Sequence, residues 1–216
     1  MGLIARGIIM VLLAVVTIVA IPLTLIFLPL RKLITGQSDA VDPAALAEFE
    51  RGYDAIKGGD ASALSALAAE IEGFPARKDR FLCRTWLNTA VSEGAPETVR
   101  WMLARGVEVN YFDEEGLSPL QTAVSREDDA AREVAEILIA AGAEVNAKGT
   151  LDVTALHTAA ALGSEDVVRL LLEHGADAGA LTSDYVPERP ADWAERAGRE
   201  QIARLLRASA SASPGG

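Results

Sequence analysis

The sequence predicts an all-α fold: a helical solenoid of helix-turn-helix units with projecting turns, preceded by one N-terminal transmembrane helix. Three observations predict it. A skeleton of small, apolar and glycine positions returns every 33 to 36 residues, a period that marks stacked-repeat architectures. Within each copy the apolar residues fall at i, i+3 and i+4, as in Val167, Leu170 and Leu171, which gives a helix one buried face. Ahead of the copies, Gly7 to Leu30 is a run of 24 residues without a charge.

Residues 1–6 form a short N-terminal tail. Residues 7–30, rich in Ile, Val and Leu, follow as the membrane helix. At helical rise such a segment spans about 36 Å against a hydrocarbon core of about 30 Å. Pro22 and Pro29 lie within it, which membrane helices tolerate with a kink. A cleaved signal peptide would have a shorter apolar region and a nearby small-residue cleavage site; here Arg31-Lys32 follows directly, so an uncleaved single-pass anchor is expected. Its orientation is undecided between cytoplasmic and extracytoplasmic (periplasmic) placement of the repeats. The Lys/Arg count favours the first slightly, and the very short tail favours the second.

Residues 31–42 read as a polar linker. Asp42-Pro43 then opens a helix, because aspartate caps the amino end and proline suits the first turn. A degenerate first unit occupies 43–80, with Tyr53 to Asp60 followed by Leu64 and Leu67. The units proper run over 81–113, 114–149 and 150–184. Their first helices open on Thr85-Trp86-Leu87-Asn88-Thr89-Ala90, Ser118-Pro119-Leu120-Gln121-Thr122-Ala123 and Thr154-Ala155-Leu156-His157-Thr158-Ala159. Gly94 and Gly163 end the first helix of their units, read as left-handed stops. Aliphatic runs then precede Gly106, Gly142 and Gly175, which end the second helices. The middle unit carries three extra residues between its helices, within Ser125 to Ala131. Arg189 to Ala194 begins a C-terminal cap over 185–207, and 208–216, ending Pro-Gly-Gly, reads as a disordered tail. Single units of this size cannot bury their apolar faces, so they occur in stacks.

These motifs resemble the ankyrin repeat family, over about 50–207. The signature positions are Thr154, Leu156, His157, Gly163 and Gly175, with Gly106 and Gly142 in the neighbouring units. The resemblance implies an ankyrin-type solenoid that binds another protein through a concave surface of turn tips and first helices. It also implies that His157 bonds backbone between units. One turn departs from the family order: Gly149 and Asp152 stand where Asp and Gly are favoured, while Asp113 and Gly116 keep that order, so the tip at 148–152 is expected to differ in shape.

Charge and composition exclude several functions. Beyond residue 34 the chain carries 17 basic and 31 acidic residues, a balance that disfavours nucleic acid. There is no His-Glu-x-x-His, no paired cysteine and no phosphate-binding glycine loop, so no catalytic residue, metal, cofactor or small-molecule substrate is expected. The single Cys83 excludes an intramolecular disulfide and reads as a small core residue. The function expected is a membrane-tethered scaffold or adaptor; a dedicated inhibitor, immunity factor or stabilising subunit of one enzyme or toxin is the alternative. Partner-contacting candidates are Trp86, Tyr111, Phe112, Asp113, Glu114 and Glu115 on the first helix and first tip. Lys148, Leu151 and Tyr185 extend the row. Two adjacent rings beside three acids suit an interface of aromatic anchors with a charged rim, unless one ring packs on a neighbour.

Overall fold

In the computed structural model, residues 42–80 and 84–212 are described. The apolar run 7–30 and Cys83 therefore lie outside the described residues. Among those that are described, no helix is long and apolar enough to cross a membrane, and none is part of a named β-strand.

Among the described residues, ten α-helices form five pairs: α1 (Pro43–Gly58) with α2 (Ala61–Glu70), α3 (Trp86–Glu93) with α4 (Pro96–Leu103), α5 (Pro119–Val124) with α6 (Ala130–Ala140), α7 (Ala155–Ala161) with α8 (Glu165–Glu173), and α9 (Pro190–Arg196) with α10 (Glu200–Ala212). The first helices pack in series, α1 on α3, α5, α7 and α9, and the second helices form a parallel row from α2 to α10. The core runs between the rows. Leu87, Val91, Val99 and Met102 fill one layer, Leu120, Val124, Val134 and Leu138 the next, and Leu156, Val167 and Leu171 the third, all essentially without solvent contact. Truncating any one of these leucines to alanine would cost about 2–5 kcal/mol.

Several helices start where the sequence supplies an acceptor. The Asp42 carboxylate takes the Ala44 N–H at 3.0 Å, and Pro43 occupies the first turn, where its missing N–H costs nothing. Thr85, Ser118 and Ser164 cap α3, α5 and α8 in the same way. At the other end, Gly106, Gly142 and Gly175 hold φ between 76° and 92°, the left-handed stop that glycine makes without a Cβ penalty. Gly94 and Gly163 differ from expectation. Gly94 has an extended backbone, φ −78° and ψ 166°, and neither it nor Gly163 has a positive φ. They are small because the chain folds back tightly. A Cβ would lie 2.6 Å from the Ala90 carbonyl at Gly94 and 2.9 Å from the Ala159 carbonyl at Gly163.

Asparagine ties the hairpin ends together. Asn110 Nδ2 donates to the Gly142 carbonyl at 2.9 Å and its Oδ1 accepts from Glu144 N–H at 3.0 Å. Thirty-six residues on, Asn146 repeats this with Gly175 and Asp177, both at 2.9 Å. The insertion in the middle unit has its own work. Arg126, almost wholly buried, donates to the carbonyls of Val91 at 2.7 Å and Gly94 at 3.1 Å, closing the carboxyl end of α3 in the preceding unit. Asp128 grips the other side of the guanidinium, and Arg126 in turn holds its carboxyl below the usual range.

The tail differs as well. Residues 208–212, expected to be disordered, continue α10 as helix. Alanine is the strongest helix former, and the Ser209 and Ser211 hydroxyls turn back onto the carbonyls of Leu205 and Ala208.

Candidate protein-interaction surface

Among the described residues, three tips project between the later units, centred on residues 111–117, 148–153 and 181–188. Each is closed at its base by one backbone hydrogen bond: Asp113 N–H to Leu117 O at 3.0 Å, Gly149 N–H to Val153 O at 2.9 Å, and Thr182 N–H to Glu188 O at 3.1 Å. A polar side chain from the first helix of the preceding unit fastens each base. Asn88 Nδ2 reaches Asp113 Oδ2 at 3.1 Å, Gln121 Nε2 reaches the Val153 carbonyl at 2.9 Å, and His157 Nε2 reaches the Glu188 carbonyl at 3.1 Å.

The tips also bond to one another. Thr150 donates its N–H to Gly116 O at 3.2 Å and its hydroxyl to Glu115 O at 3.0 Å. Ser183 N–H donates to Leu151 O at 2.9 Å. The three tips are thus a connected ridge held in place before any partner arrives, which lowers the ordering cost of association.

Apolar side chains stand along this ridge. Among the described residues the large apolar side chains left in solvent are Phe112, Leu151, Leu162, Leu181, Tyr185 and Val186, and all but Leu162 belong to the tips. Tyr185 is 99% exposed and Phe112 50%. Isolated exposed apolar residues are ordinary; their concentration on one ridge of a stack whose other apolar residues are buried is what marks a contact surface.

The two rings at the first tip divide. Phe112 faces solvent, whereas Tyr111 is half-buried and shares a 2.5 Å hydrogen bond with the Thr85 hydroxyl. Burial pushes its phenol up to about 12; the Thr85 bond opposes that and the Asp113 carboxylate adds to it. The acids beside them are partly occupied. Asp113 Oδ1 takes the N–H groups of Glu115 at 3.0 Å and Leu117 at 2.9 Å, so it shapes the turn. Glu114 lies 3.7 Å from Lys78 and Glu115 3.4 Å from Arg84. Both pairs are exposed and contribute little to stability. Lys148 sits at the second tip with Asp152 3.8 Å away.

Trp86 is corrected. Expected at the surface, it is fully buried. Its ring stacks on Phe49 at 6.0 Å between centroids and meets Phe74 edge-on at 5.4 Å. The room is made by Gly52, where a Cβ would stand 2.4 Å from the indole. Trp86 belongs to the core between α1 and α3.

The signature residues divide. Thr154, Leu156, His157 and Gly163 are buried, and Thr154 caps the start of α7, whereas Gly106, Gly142 and Gly175 are exposed at the ends of the second helices. The ridge residues that sequence reasoning passed over are Leu181 and Val186. An aliphatic residue within a polar turn was their signal. Among the described residues no cluster of His, Cys, Asp or Glu is placed to hold a metal ion, and the surface offers apolar anchors with a charged rim rather than reacting groups.

Comparison with known proteins places this architecture. The family model described as ankyrin repeats, in three copies, matches residues 53–149 and 133–214. The chain is 34% identical over 131 residues to human cyclin-dependent kinase inhibitor 2A, covering 60% of this chain and 80% of that protein. It is 35% identical over 124 residues to rat cyclin-dependent kinase 4 inhibitor B, covering 57% of this chain and 91% of that protein. It is 36% identical over 118 residues to the rice probable E3 ubiquitin-protein ligase XBOS34; that match covers 54% of this chain but only 22% of the rice protein.

Proposed function

The chain belongs to the ankyrin repeat family, and from that premise we propose that it is a membrane-tethered, non-enzymatic module that captures a partner protein on its tip ridge. The observation that carries this reading is the row of exposed apolar side chains, Phe112, Leu151, Leu181, Tyr185 and Val186, on a pre-ordered edge. Aromatic anchors dominate protein interfaces when a partner desolvates them. The uncharged run 7–30 is the tether in this reading.

A second reading follows from the two relatives matched over most of their length, which are named as inhibitors of kinases. In it the ridge engages one enzyme only and restrains it. The two readings share the ridge and differ in the number of partners.

A photo-crosslinking residue placed in turn at Phe112, Tyr185 and, as an outer-helix control, Glu173 tests the assignment in full-length protein in its native membranes. Crosslinks to protein from the first two positions and none from the third support the ridge, and a single recurrent product supports the dedicated inhibitor. Crosslinks confined to Glu173 would overturn both. Protease accessibility of the repeats in sealed membranes assigns their side.

A further inference from the structure

The second and third tips are fastened from the preceding first helix in the same way, but by different residues. Gln121 is 1% exposed, takes the Ser118 N–H on Oε1 at 2.9 Å and donates from Nε2 to Val153 O. His157 takes the Thr154 N–H on Nδ1 at 3.2 Å and donates from Nε2 to Glu188 O. Glu188 is doubly engaged in its tip, since its N–H also donates to the Thr182 hydroxyl at 3.0 Å. The two fasteners are interchangeable as hydrogen-bonding groups, and only one of them titrates near neutral pH.

We propose that His157 makes the third tip releasable by acid: a proton on its imidazole frees the loop bearing Leu181, Tyr185 and Val186, and capture through that tip weakens. The partner half of this statement rests on the ridge being the binding surface; the loosening of the loop does not.

The chemistry follows from the pocket. In the neutral ring Nδ1 is an acceptor and Nε2 a donor, which matches its partners. A second proton falls on Nδ1 and sets an N–H against the Thr154 N–H. The Thr154 hydroxyl, 2.9 Å from Nδ1, can turn to accept, but the backbone N–H cannot. The ring would also carry charge in a site without solvent contact, a costly arrangement unless paired. Moving outward relieves both, and with the ring goes the bond to Glu188.

The charged groups around it are few. The tip contributes the Glu188 carboxylate, already held by Arg196 of α9, and the hairpin end contributes Asp177. The buried side chains of α5 and α8 are uncharged, and α9 presents the Trp193 ring edge-on at 5.5 Å. Burial lowers the imidazole below its ordinary 6.5, and the backbone carbonyls of Glu188 and Ala180, with the carboxylates of Glu188 and Asp177, only partly offset it. The unfolded chain therefore takes the proton more readily than the folded one. The stabilisation is complete above about pH 6.5 and is lost as pH falls toward the lowered value.

Hydrogen–deuterium exchange of the full-length protein in detergent at pH 7.5 and 5.0, each corrected to the intrinsic exchange rate at that pH, reads the loop directly. Protection of 182–188 should fall severalfold at pH 5.0, while 149–153 holds. His157→Gln should abolish the fall, and Gln121→His should extend it to 149–153. Equal protection of 182–188 at both pH values, or a fall that persists in His157→Gln, would overturn the proposal. If the loop behaves as stated and crosslinks avoid the ridge, the switch stands and the binding reading fails.

Discussion

The first and second tips share their closing hydrogen bonds but exchange their residues, and their backbones differ at the third place, where Leu151 is left-handed and Glu115 is not. In both, the first residue's N–H bonds to the carbonyl four residues on, and the fourth residue's N–H bonds to the first's carbonyl at 3.0 Å. In the first tip Asp113 stands at the start and Gly116, with φ 77°, at the fourth place. In the second these are Gly149 and Asp152, and Asp152 holds φ 57° beside Leu151 at φ 58°. The neighbours explain the exchange. Asp113 faces the polar Asn88 side chain, which it binds. Gly149 faces the backbone of the first tip, where a Cβ would lie 2.3 Å from Gly116 O and 2.9 Å from Gln121 Oε1. The closing hydrogen bonds are common to both tips, and the residue types adapt to what stands one unit away.

Restoring the family order at one position should break the second tip. Gly149→Asp should cost about 1–3 kcal/mol, as overpacking does, read as a lowered urea midpoint; unchanged stability would mean the tips do not approach so closely. At the first tip, Tyr111→Phe should cost about 0.5–1.5 kcal/mol through the lost Thr85 bond. It has a pH signature too. With the phenol raised to about 12 in the fold, its contribution is intact below the ordinary pKa of about 10 and declines as pH rises from there toward 12. A spectrophotometric titration that shows all three tyrosines ionising together near 10 would contradict the burial.

Asp152→Gly sharpens the comparison from the other side. It relieves a left-handed L-residue, a conformation costing about 1–2 kcal/mol, but frees the unfolded chain by about 0.4–1 kcal/mol. The net expectation is a gain of about 0.5 kcal/mol in thermal or urea unfolding, and a loss would show the strain to be absent. The smallest change is Phe112→Ala, which should shift stability by less than about 0.5 kcal/mol while reducing partner capture. A clear loss of stability would reassign that ring to packing.

Much of this fold is legible in the sequence because repetition supplies its own controls. Ser118, Thr154 and their glycines keep phase whatever the local propensities, and Asp42-Pro43 marks the first helix unaided. What escapes is anything decided by a residue one unit away. Trp86 looks like a surface substitution for proline until Gly52, thirty-four positions earlier, is seen to leave space for its ring. Gly94 looks like a left-handed stop, yet its smallness answers to the Ala90 carbonyl. Arg126 reads only as part of an insertion between two helices, although its guanidinium caps α3. At the candidate surface the exposed Phe112 could be named from sequence; its division from Tyr111 required Thr85, and Leu181 and Val186 required the closure of the third tip.

The measurement that bears most directly on the central claim is a crosslinked pull-down of full-length protein from its native membranes. It compares the wild type, the tip variant Phe112→Ala/Tyr185→Ala and the outer-helix variant Glu173→Ala. The ridge account predicts one or a few partners recovered by the wild type and by Glu173→Ala, and lost with the tip variant at unchanged thermal stability. Partners retained by the tip variant and lost with Glu173→Ala would contradict it and move the binding surface to the second helices.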